Sequence, residues 1–214
     1  MSIATASGGL FAPEPSLRHL PQEGENEQVA PEQEASSKEI VTVGHSNHEE
    51  TEFIELLTGA GVLLIADVRE NPRSRYPHFN RSALAGSLKE AGIGYVHLGE
   101  QLGGRREPEE DSPNRALEEG PIRGYADHMR GELFEDGLRR LENLAAEQRV
   151  AMMCAEADWT QCHRRLISDA LTTEGWRVLH LGPDGALSEH ELTESAVVTD
   201  GDITYPEQQT SLDV

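Results

Sequence analysis

Short apolar runs alternate with helical patterns along the middle of the chain, and this alternation limits the folds open to it. The five runs are residues 40–43, 62–66, 94–98, 149–153 and 176–181. The second is continuously apolar, as in strands that are buried on both faces of a sheet. Strands that alternate with helices pair in parallel, and helices then cover both faces. The sequence therefore predicts a three-layer α/β domain around a mostly parallel sheet of about five strands.

Helical spacing of apolar residues fills most of the gaps between these runs. The predicted helices are residues 49–60, 81–91, 125–148 and 160–174, the third with a break near Gly131 or Gly137. Residues 107–121 are acidic and contain prolines, so they are predicted to form a long loop.

The composition changes at both ends of the chain. Residues 1–38 are rich in Gly, Pro, Ser, Gln and Glu, and residues 183–214 carry eight acids without Lys or Arg. Neither segment has enough apolar residues for their burial to offset the conformational entropy that the segment would lose on folding. We therefore expect a disordered N-terminal flank (1–38), a single α/β domain (39–182) and a disordered acidic tail (183–214).

Charge and cysteine content narrow the class of protein. The net charge of −21 opposes unspecific binding to nucleic acid. Sixteen of the eighteen basic residues are arginine, the group best suited to a bidentate grip on phosphate or carboxylate. Two cysteines do not make a disulfide framework, and neither a secretory signal nor an apolar run long enough for a membrane is evident. These features predict a cytoplasmic protein with reduced thiols and without a membrane partner.

Polar and reactive side chains follow the predicted strands at the point where each strand ends. In open parallel sheets, ligands bind outside the carboxyl ends of the strands, so these groups are expected to converge on one edge. They are Gly44, His45 and Ser46; Asp67, Arg69, Ser74 and Arg75; Gly103, Gly104 and Arg105; Cys154 and Glu156; and His180. The pattern predicts one crevice, and its arginines indicate an anionic ligand.

The segment from Cys154 to Arg164 is the most concentrated part of this set, because it holds both cysteines. His163 continues the apolar face of the following helix and is expected to point toward the crevice. Cys162 falls in the first turn of that helix, where free N–H groups and a nearby arginine favour a thiolate.

Three interpretations of this segment stay open. The first is anion binding by the helix N-terminus and Arg164. The second is a metal site made by Cys154, Cys162 and His163, with His45 or Glu156 as a further ligand. The third is a nucleophilic cysteine. The nine residues between Cys154 and Arg164 are more than cysteine phosphatases have, which argues against that family.

Taken together, the motifs resemble those of a known family, the domain of unknown function 488. They are Thr42-Val43-Gly44-His45-Ser46, Asp67-Val68-Arg69 with Pro72, Ser74 and Arg75, Phe79-Asn80, Leu102-Gly103-Gly104, Cys154-Ala155-Glu156, Cys162-His163-Arg164 and His180. The resemblance covers residues 40–181. It implies an α/β fold, and it supplies no settled activity.

The working hypothesis is a crevice that binds a phosphate-bearing ligand, either a nucleotide or a strand of nucleic acid. The expected anion-binding residues are Gly44, Ser46, Arg69, Ser74, Arg75, Gly103, Gly104 and Arg164. The expected catalytic residues are His45, Asp67, Cys154, Glu156 and His163. If the protein is an enzyme, we expect hydrolysis or group transfer, with His45 or His163 moving a proton, Glu156 or Asp67 orienting that histidine, and Cys154 as nucleophile.

Two alternatives come from other classes of protein. One is a non-catalytic module that binds nucleic acid or serves as an adaptor, and the other is a Cys/His metal protein. The sequence indicates no particular cofactor and no oligomeric state.

Overall fold

The structure of the protein is a computed structural model, and it describes residues 38–207. Except for Lys38, the predicted N-terminal flank lies outside the described residues, as do residues 208–214 of the predicted tail. The strands are β1 (Glu39–Gly44), β2 (Leu64–Asp67), β3 (Gly94–His97), β4 (Val150–Cys154), β5 (Arg177–Leu181), β6 (Leu187–Glu189), β7 (Val197–Thr199) and β8 (Asp202–Thr204). The α-helices are α1 (Glu50–Gly59), α2 (Arg81–Glu90), α3 (Gly99–Leu102), α4 (Pro121–His128), α5 (Glu132–Glu147) and α6 (Arg164–Thr173), and short 3₁₀ helices cover Pro77–Phe79 and Trp159–Gln161.

The main sheet confirms the predicted α/β fold. Its strand order is β3-β2-β4-β1-β5-β6, and every pair is parallel except β5 with β6. The sheet has six strands, one more than the sequence predicted. The additional strand, β6, has three exposed residues, so it lacks the apolar run that indicated the other five.

Helices cover both faces of this sheet, and β4 shows why its sequence is apolar throughout. Val150, Met152 and Cys154 face a core shared with α4, α5 and α6. Ala151 and Met153 face a second core shared with α1 and α2. Successive strand residues point to opposite faces, so a strand between two helical layers needs apolar side chains at every position.

The segment after β5 differs from the expectation of a disordered tail. Residues 183–207 include β6 and the β7–β8 hairpin, and His190, Ile203 and Tyr205 are buried. The backbone N–H of Tyr205 donates to Asn114 Oδ1 at 2.9 Å. The packed unit therefore extends past residue 182, the predicted domain boundary. In residues 183–207 the few buried side chains are isolated along the sequence, so this segment shows no apolar periodicity.

The predicted break in the third helix occurs at Gly131, which precedes α5. In the part of the chain that the structure describes, every helix is too short or too polar to cross a membrane.

Candidate functional site

The carboxyl ends of β1, β2 and β4 meet at one edge of the sheet, as the sequence predicted. Gly44 is in register with Cys154, and the His45 N–H donates to the Cys154 carbonyl at 3.0 Å. The Val68 N–H donates to the carbonyl of Met153 at 3.0 Å. A cleft of about 420 Å³ opens at this edge. We call it the cysteine cleft; among the residues that line it are Arg73, Gly104, Arg105, Cys154, Glu156, Cys162 and His163.

Two free thiols form the floor of the cysteine cleft. Cys154 ends β4, and Cys162 lies between a 3₁₀ helix and α6. Their Sγ atoms are 2.9 Å apart, and both side chains are buried. The hydrogen bond between the two thiols and the charge of Arg164 lower the pKa of Cys162 to about 6, against the opposing effect of burial. The same hydrogen bond and burial raise the pKa of Cys154.

His163 presents an unprotonated nitrogen to these thiols. Its Nε2 lies 3.2 Å from the carbonyl oxygen of Val68, which can only accept, so Nε2 carries the proton. Burial lowers the pKa of His163, and a neutral ring keeps a lone pair on Nδ1. This Nδ1 is 3.6 Å from Cys162 Sγ. Gly104 packs directly against the ring, since a Cβ at that position would lie 2.3 Å from Nδ1.

His45, Asp67 and Arg69 form a separate buried group in which each polar atom has a protein partner. Arg69 donates to both carboxylate oxygens of Asp67, at 2.8 and 2.6 Å, and to the Phe79 carbonyl at 3.0 Å. Its remaining contact is with His45 Nε2 at 3.1 Å, which must accept because a guanidinium only donates. Tyr95 completes the group by donating to Asp67 at 2.7 Å.

This arrangement gives the three residues a structural role. Burial and the Arg69 charge lower the pKa of His45 to about 4, so the ring is neutral at pH 7. The lone pair of that ring is already used by Arg69, and four of the five N–H donors of Arg69 bond to Asp67, His45 and Phe79. The predicted roles of His45 as a proton carrier and of Arg69 as an anion anchor therefore stay predictions without support from this geometry.

Arg164 is buried behind the cleft and also bonds to the protein. Its guanidinium donates to the Glu156 carbonyl oxygen and, at 3.4 Å, to Thr42 Oγ1. Within the described residues its Nε has no hydrogen-bond partner. Arg164 thus joins the loop after β4 to β1, whereas the Glu156 side chain is exposed and lines the cysteine cleft.

The other predicted anion-binding residues shape the backbone around the site. Gly44 lies against the Glu156 carbonyl, where a Cβ would come within 1.9 Å of the oxygen. Ser46 adopts a left-handed backbone with φ of 45°, and its N–H donates to Ala155. Gly103 is buried against the helix α3 backbone.

Ser74 and Arg75 lie outside the residues that line the cysteine cleft. The Ser74 hydroxyl accepts a hydrogen bond from the Tyr76 N–H at 3.1 Å within a turn. The Arg75 guanidinium lies 5.0 Å from the centre of the Tyr76 ring. Their predicted role in anion binding stays a prediction.

A second cavity, of about 830 Å³, adjoins the first, and no strand-end pattern in the sequence indicated it. We call it the arginine pocket; the lining residues that matter below are Asn71, Arg73, Arg81, Tyr95, His97 and Arg140. Asn71 and Arg73 also line the cysteine cleft, so the two cavities are neighbours. Arg81 begins α2 and is close in sequence to Arg73, but Arg140 comes from α5 and only the tertiary structure brings it here.

A chain of hydrogen bonds runs through the buried histidines beside β5. Arg164 donates to Thr42, and Thr42 Oγ1 lies 2.8 Å from His180 Nδ1. His180 Nε2 lies 3.0 Å from His190 Nδ1, and His190 Nε2 lies 2.9 Å from Asp169 Oδ1. A carboxylate accepts, so His190 donates from Nε2 to Asp169.

Further contacts surround this series of hydrogen bonds. Asp169 also accepts from the Thr193 N–H and hydroxyl, at 2.8 and 2.7 Å, and from the Tyr205 hydroxyl at 2.9 Å. The Trp159 ring stacks on His180 with centroids 3.8 Å apart. We call Thr42, Asp169, His180, His190, Thr193 and Tyr205 the His180 network. Of these six, His180 was singled out from sequence as a strand-end residue.

The comparisons with known proteins agree with the motif resemblance. The model of the family described as "Domain of unknown function DUF488" matches residues 50–171, which is more than half of the chain. The chain belongs to this family. The match includes Cys154, Cys162, His163 and the arginines of the second cavity, and it stops short of His180 and His190. Searches of curated proteins and of solved structures each returned no match.

Proposed function

We propose that the protein binds a phosphate-bearing small molecule, of the nucleotide class, across the arginine pocket and the cysteine cleft, and that it catalyses hydrolysis or group transfer on this ligand. The arginine pocket carries the proposal. Arg73, Arg81 and Arg140 line it together with His97, and its described lining residues include no carboxylate. This concentration of positive charge occurs in a chain with a net charge of −21.

Among the residues that the structure describes, the three arginines form no ion pair with a carboxylate. Within residues 38–207, the ion pairs that form involve other arginines or a histidine. Neighbouring guanidinium groups repel one another, and an anion that contacts several of them removes this repulsion. Guanidinium groups bind phosphate with paired, charge-assisted hydrogen bonds, so a phosphate group is a suitable anion.

The size of the two cavities supports a nucleotide over a strand of nucleic acid. Volumes of about 830 and 420 Å³ are typical of sites for small molecules. A ligand with its phosphates in the arginine pocket would pass Asn71 and Arg73 and reach the thiols of the cysteine cleft.

Under this proposal, some of the predicted catalytic residues can contact the ligand and the others act through a neighbouring residue. Cys154, Glu156 and His163 line the cysteine cleft and remain candidates for contact with the ligand. His45 and Asp67 act indirectly, by holding Arg69 in the wall of the cleft. We also propose a cytoplasmic location, because that reducing compartment keeps both thiols free.

Calorimetric titration with inorganic phosphate and with ADP tests the proposal. We expect Arg140→Ala to weaken ADP binding roughly tenfold, because one charge-assisted contact is lost. Arg139→Ala is the matched control: Arg139 is adjacent on α5 but pairs with Asp136 at 2.8 Å and does not line the pocket. Equal affinities of the parent and of an Arg73→Ala/Arg81→Ala/Arg140→Ala triple variant would contradict the proposal.

A turnover assay separates the enzyme from the non-catalytic alternative. We expect release of phosphate or of a transferred group from a bound nucleotide. Binding of a single-stranded oligonucleotide with a steep dependence on salt, and without turnover of any nucleotide, would instead indicate a nucleic-acid-binding module.

A further inference from the structure

We propose that Cys154, Cys162 and His163 bind a divalent metal ion of the zinc class, with a fourth coordination position open to the cysteine cleft. The two Sγ atoms and an imidazole nitrogen all lie within 4.8 Å of one another. Two thiolates and one imidazole are soft and borderline ligands, which select zinc over magnesium or calcium. The two thiolate charges also balance the charge of a divalent ion.

The distances between these atoms suit tetrahedral coordination. Bond lengths to zinc of about 2.3 Å for sulfur and about 2.0 Å for nitrogen place a sulfur and a nitrogen ligand about 3.6 Å apart and two sulfur ligands about 3.8 Å apart. Cys162 Sγ and His163 Nδ1 are 3.6 Å apart. The sulfur atoms, at 2.9 Å, need to separate by less than 1 Å, and Cys154 lies within 4.8 Å of the imidazole nitrogen.

The tautomer of His163 supports the same assignment. A metal-binding histidine ordinarily donates its other ring N–H to a carbonyl or carboxylate, which fixes the ring and directs the lone pair at the metal. Here Nε2 bonds to the Val68 carbonyl oxygen, and Nδ1 is left facing the sulfur atoms. A disulfide between Cys154 and Cys162 would use the sulfur atoms and leave this buried lone pair without a partner, whereas a metal ion engages all three groups.

The site has three protein ligands, which leaves one position free. His45, a further ligand in the sequence-based hypothesis, already accepts from Arg69 through its free nitrogen. Glu156 is exposed on the wall of the cysteine cleft and is not part of the three-residue cluster. Sites with three protein ligands and an accessible fourth position are typical of catalytic zinc. The metal site stands independently of the proposed function; only the identity of the fourth ligand, a phosphate oxygen of the bound nucleotide, rests on it.

Titration of the reduced, metal-free parent with Co²⁺ tests the proposal by spectroscopy. We expect one equivalent to bind, with a thiolate-to-cobalt charge-transfer band and the visible bands of a tetrahedral ion, and Zn²⁺ to displace it. Cys162→Ser and His163→Asn are each expected to weaken binding at least a hundredfold. His78→Asn is the control, because His78 Nε2 also bonds to a backbone carbonyl, that of His48 at 3.0 Å, away from the thiols.

A second measurement on the parent does not depend on any variant folding. Zn²⁺ is expected to raise the melting temperature and to protect both thiols from a chromogenic thiol reagent, and a chelator is expected to reverse both effects. Thiols that react equally fast with and without Zn²⁺, or cobalt spectra without a thiolate band, would overturn the proposal.

The Arg140→Ala variant distinguishes this proposal from the proposed function. It is expected to bind Co²⁺ as the parent does while it binds ADP more weakly. A parent that binds ADP but no metal would overturn the metal site alone.

Discussion

Two buried polar clusters, one with His180 and His190 and the other with His163 and two cysteines, differ in how their polar atoms are bonded. In the His180 network, a carboxylate at one end and a guanidinium at the other satisfy both rings in a continuous chain. In the cysteine cleft, the lone pair on His163 Nδ1 faces the sulfur atoms of Cys154 and Cys162, and all three residues border a cavity.

This difference separates a structural cluster from a candidate site. A buried polar network contributes most to stability when each member has its partners, and such a network has nothing left to offer a ligand. Ligand binding needs groups whose bonding is incomplete and that border a cavity. The family match agrees with this division, because it spans the cysteine cleft and omits most of the His180 network.

The strongest test of the comparison removes the anion of the His180 network. We expect Asp169→Asn to lower the free energy of unfolding by about 3–5 kcal/mol, because four hydrogen bonds converge on a buried carboxylate. Urea denaturation measures the change. Asp136→Asn, at a residue 66% exposed, is the control and should shift stability by less than about 0.5 kcal/mol. Equal effects of the two substitutions would show that the network is not a stabilising unit.

Acid destabilises the network through His180. Burial, the adjacent His190 and the charge of Arg164 together lower the pKa of His180 to about 3, against the raising effect of Asp169. The unfolded chain titrates near pH 6.5, so below that pH it binds a proton that the folded protein does not. Stability from this residue is therefore complete above about pH 6.5 and falls as the pH approaches 3.

Denaturation of the parent and of His180→Gln at several pH values isolates this contribution. Between pH 6.5 and 4 the parent is expected to lose up to about 3 kcal/mol more than the variant. The comparison of slopes cancels the titration of carboxylates elsewhere in the acidic chain. Parallel stability curves would mean that His180 does not titrate differently on folding.

A substitution at Gly104 tests whether the position of the His163 ring controls metal binding in the cysteine cleft. Gly104→Ala places a methyl group against the His163 ring, so the ring must move. We expect a loss of about 1–3 kcal/mol in stability together with much weaker Co²⁺ binding. Gly86→Ala is the control, because a Cβ there meets no atom within 4 Å and α2 gains an alanine worth up to about 1 kcal/mol.

The smallest effect on stability is expected at the thiols themselves. Cys154→Ser, measured in reductant and chelator, should change the free energy of unfolding by less than about 1.5 kcal/mol, because the hydroxyl can still form a hydrogen bond with Cys162. The same variant should lose Co²⁺ binding. A loss as large as that of Asp169→Asn would indicate that the thiol pair is a structural element like the His180 network.

The order along the chain of strands β1 to β5 and of the helices between them was predictable, because local sequence patterns encode it. The apolar run of β2 and the helical spacing in α1 and α6 are visible without a partner segment. The short strand β6 was not, since three exposed residues paired to the edge of β5 carry no such pattern. Burial of Tyr205 was missed for the same reason, because a single aromatic residue in an acidic segment has no periodicity.

The position of the strand-end side chains in the fold was predictable, and their hydrogen bonding was less so. Cys154 and His163 were expected at one edge of the sheet, and they lie there. Arg69 was expected to face a ligand, yet it is surrounded by Asp67, His45 and the Phe79 carbonyl. Strand topology specifies where the backbone of a residue lies. The hydrogen bonds of its side chain depend on residues that belong to other elements.

The sequence by itself determined the α/β fold, the alternation of its elements, the family and the edge of the sheet at which reactive groups gather. These properties follow from spacing along the chain and from the common direction of parallel strands. Only the tertiary structure decided which of those groups are already bonded, as at His45 and His180, and which border a cavity, as at Cys162 and His163. It also brought Arg140 beside Arg73 and Arg81, because distances between side chains that are far apart in sequence are set by packing alone.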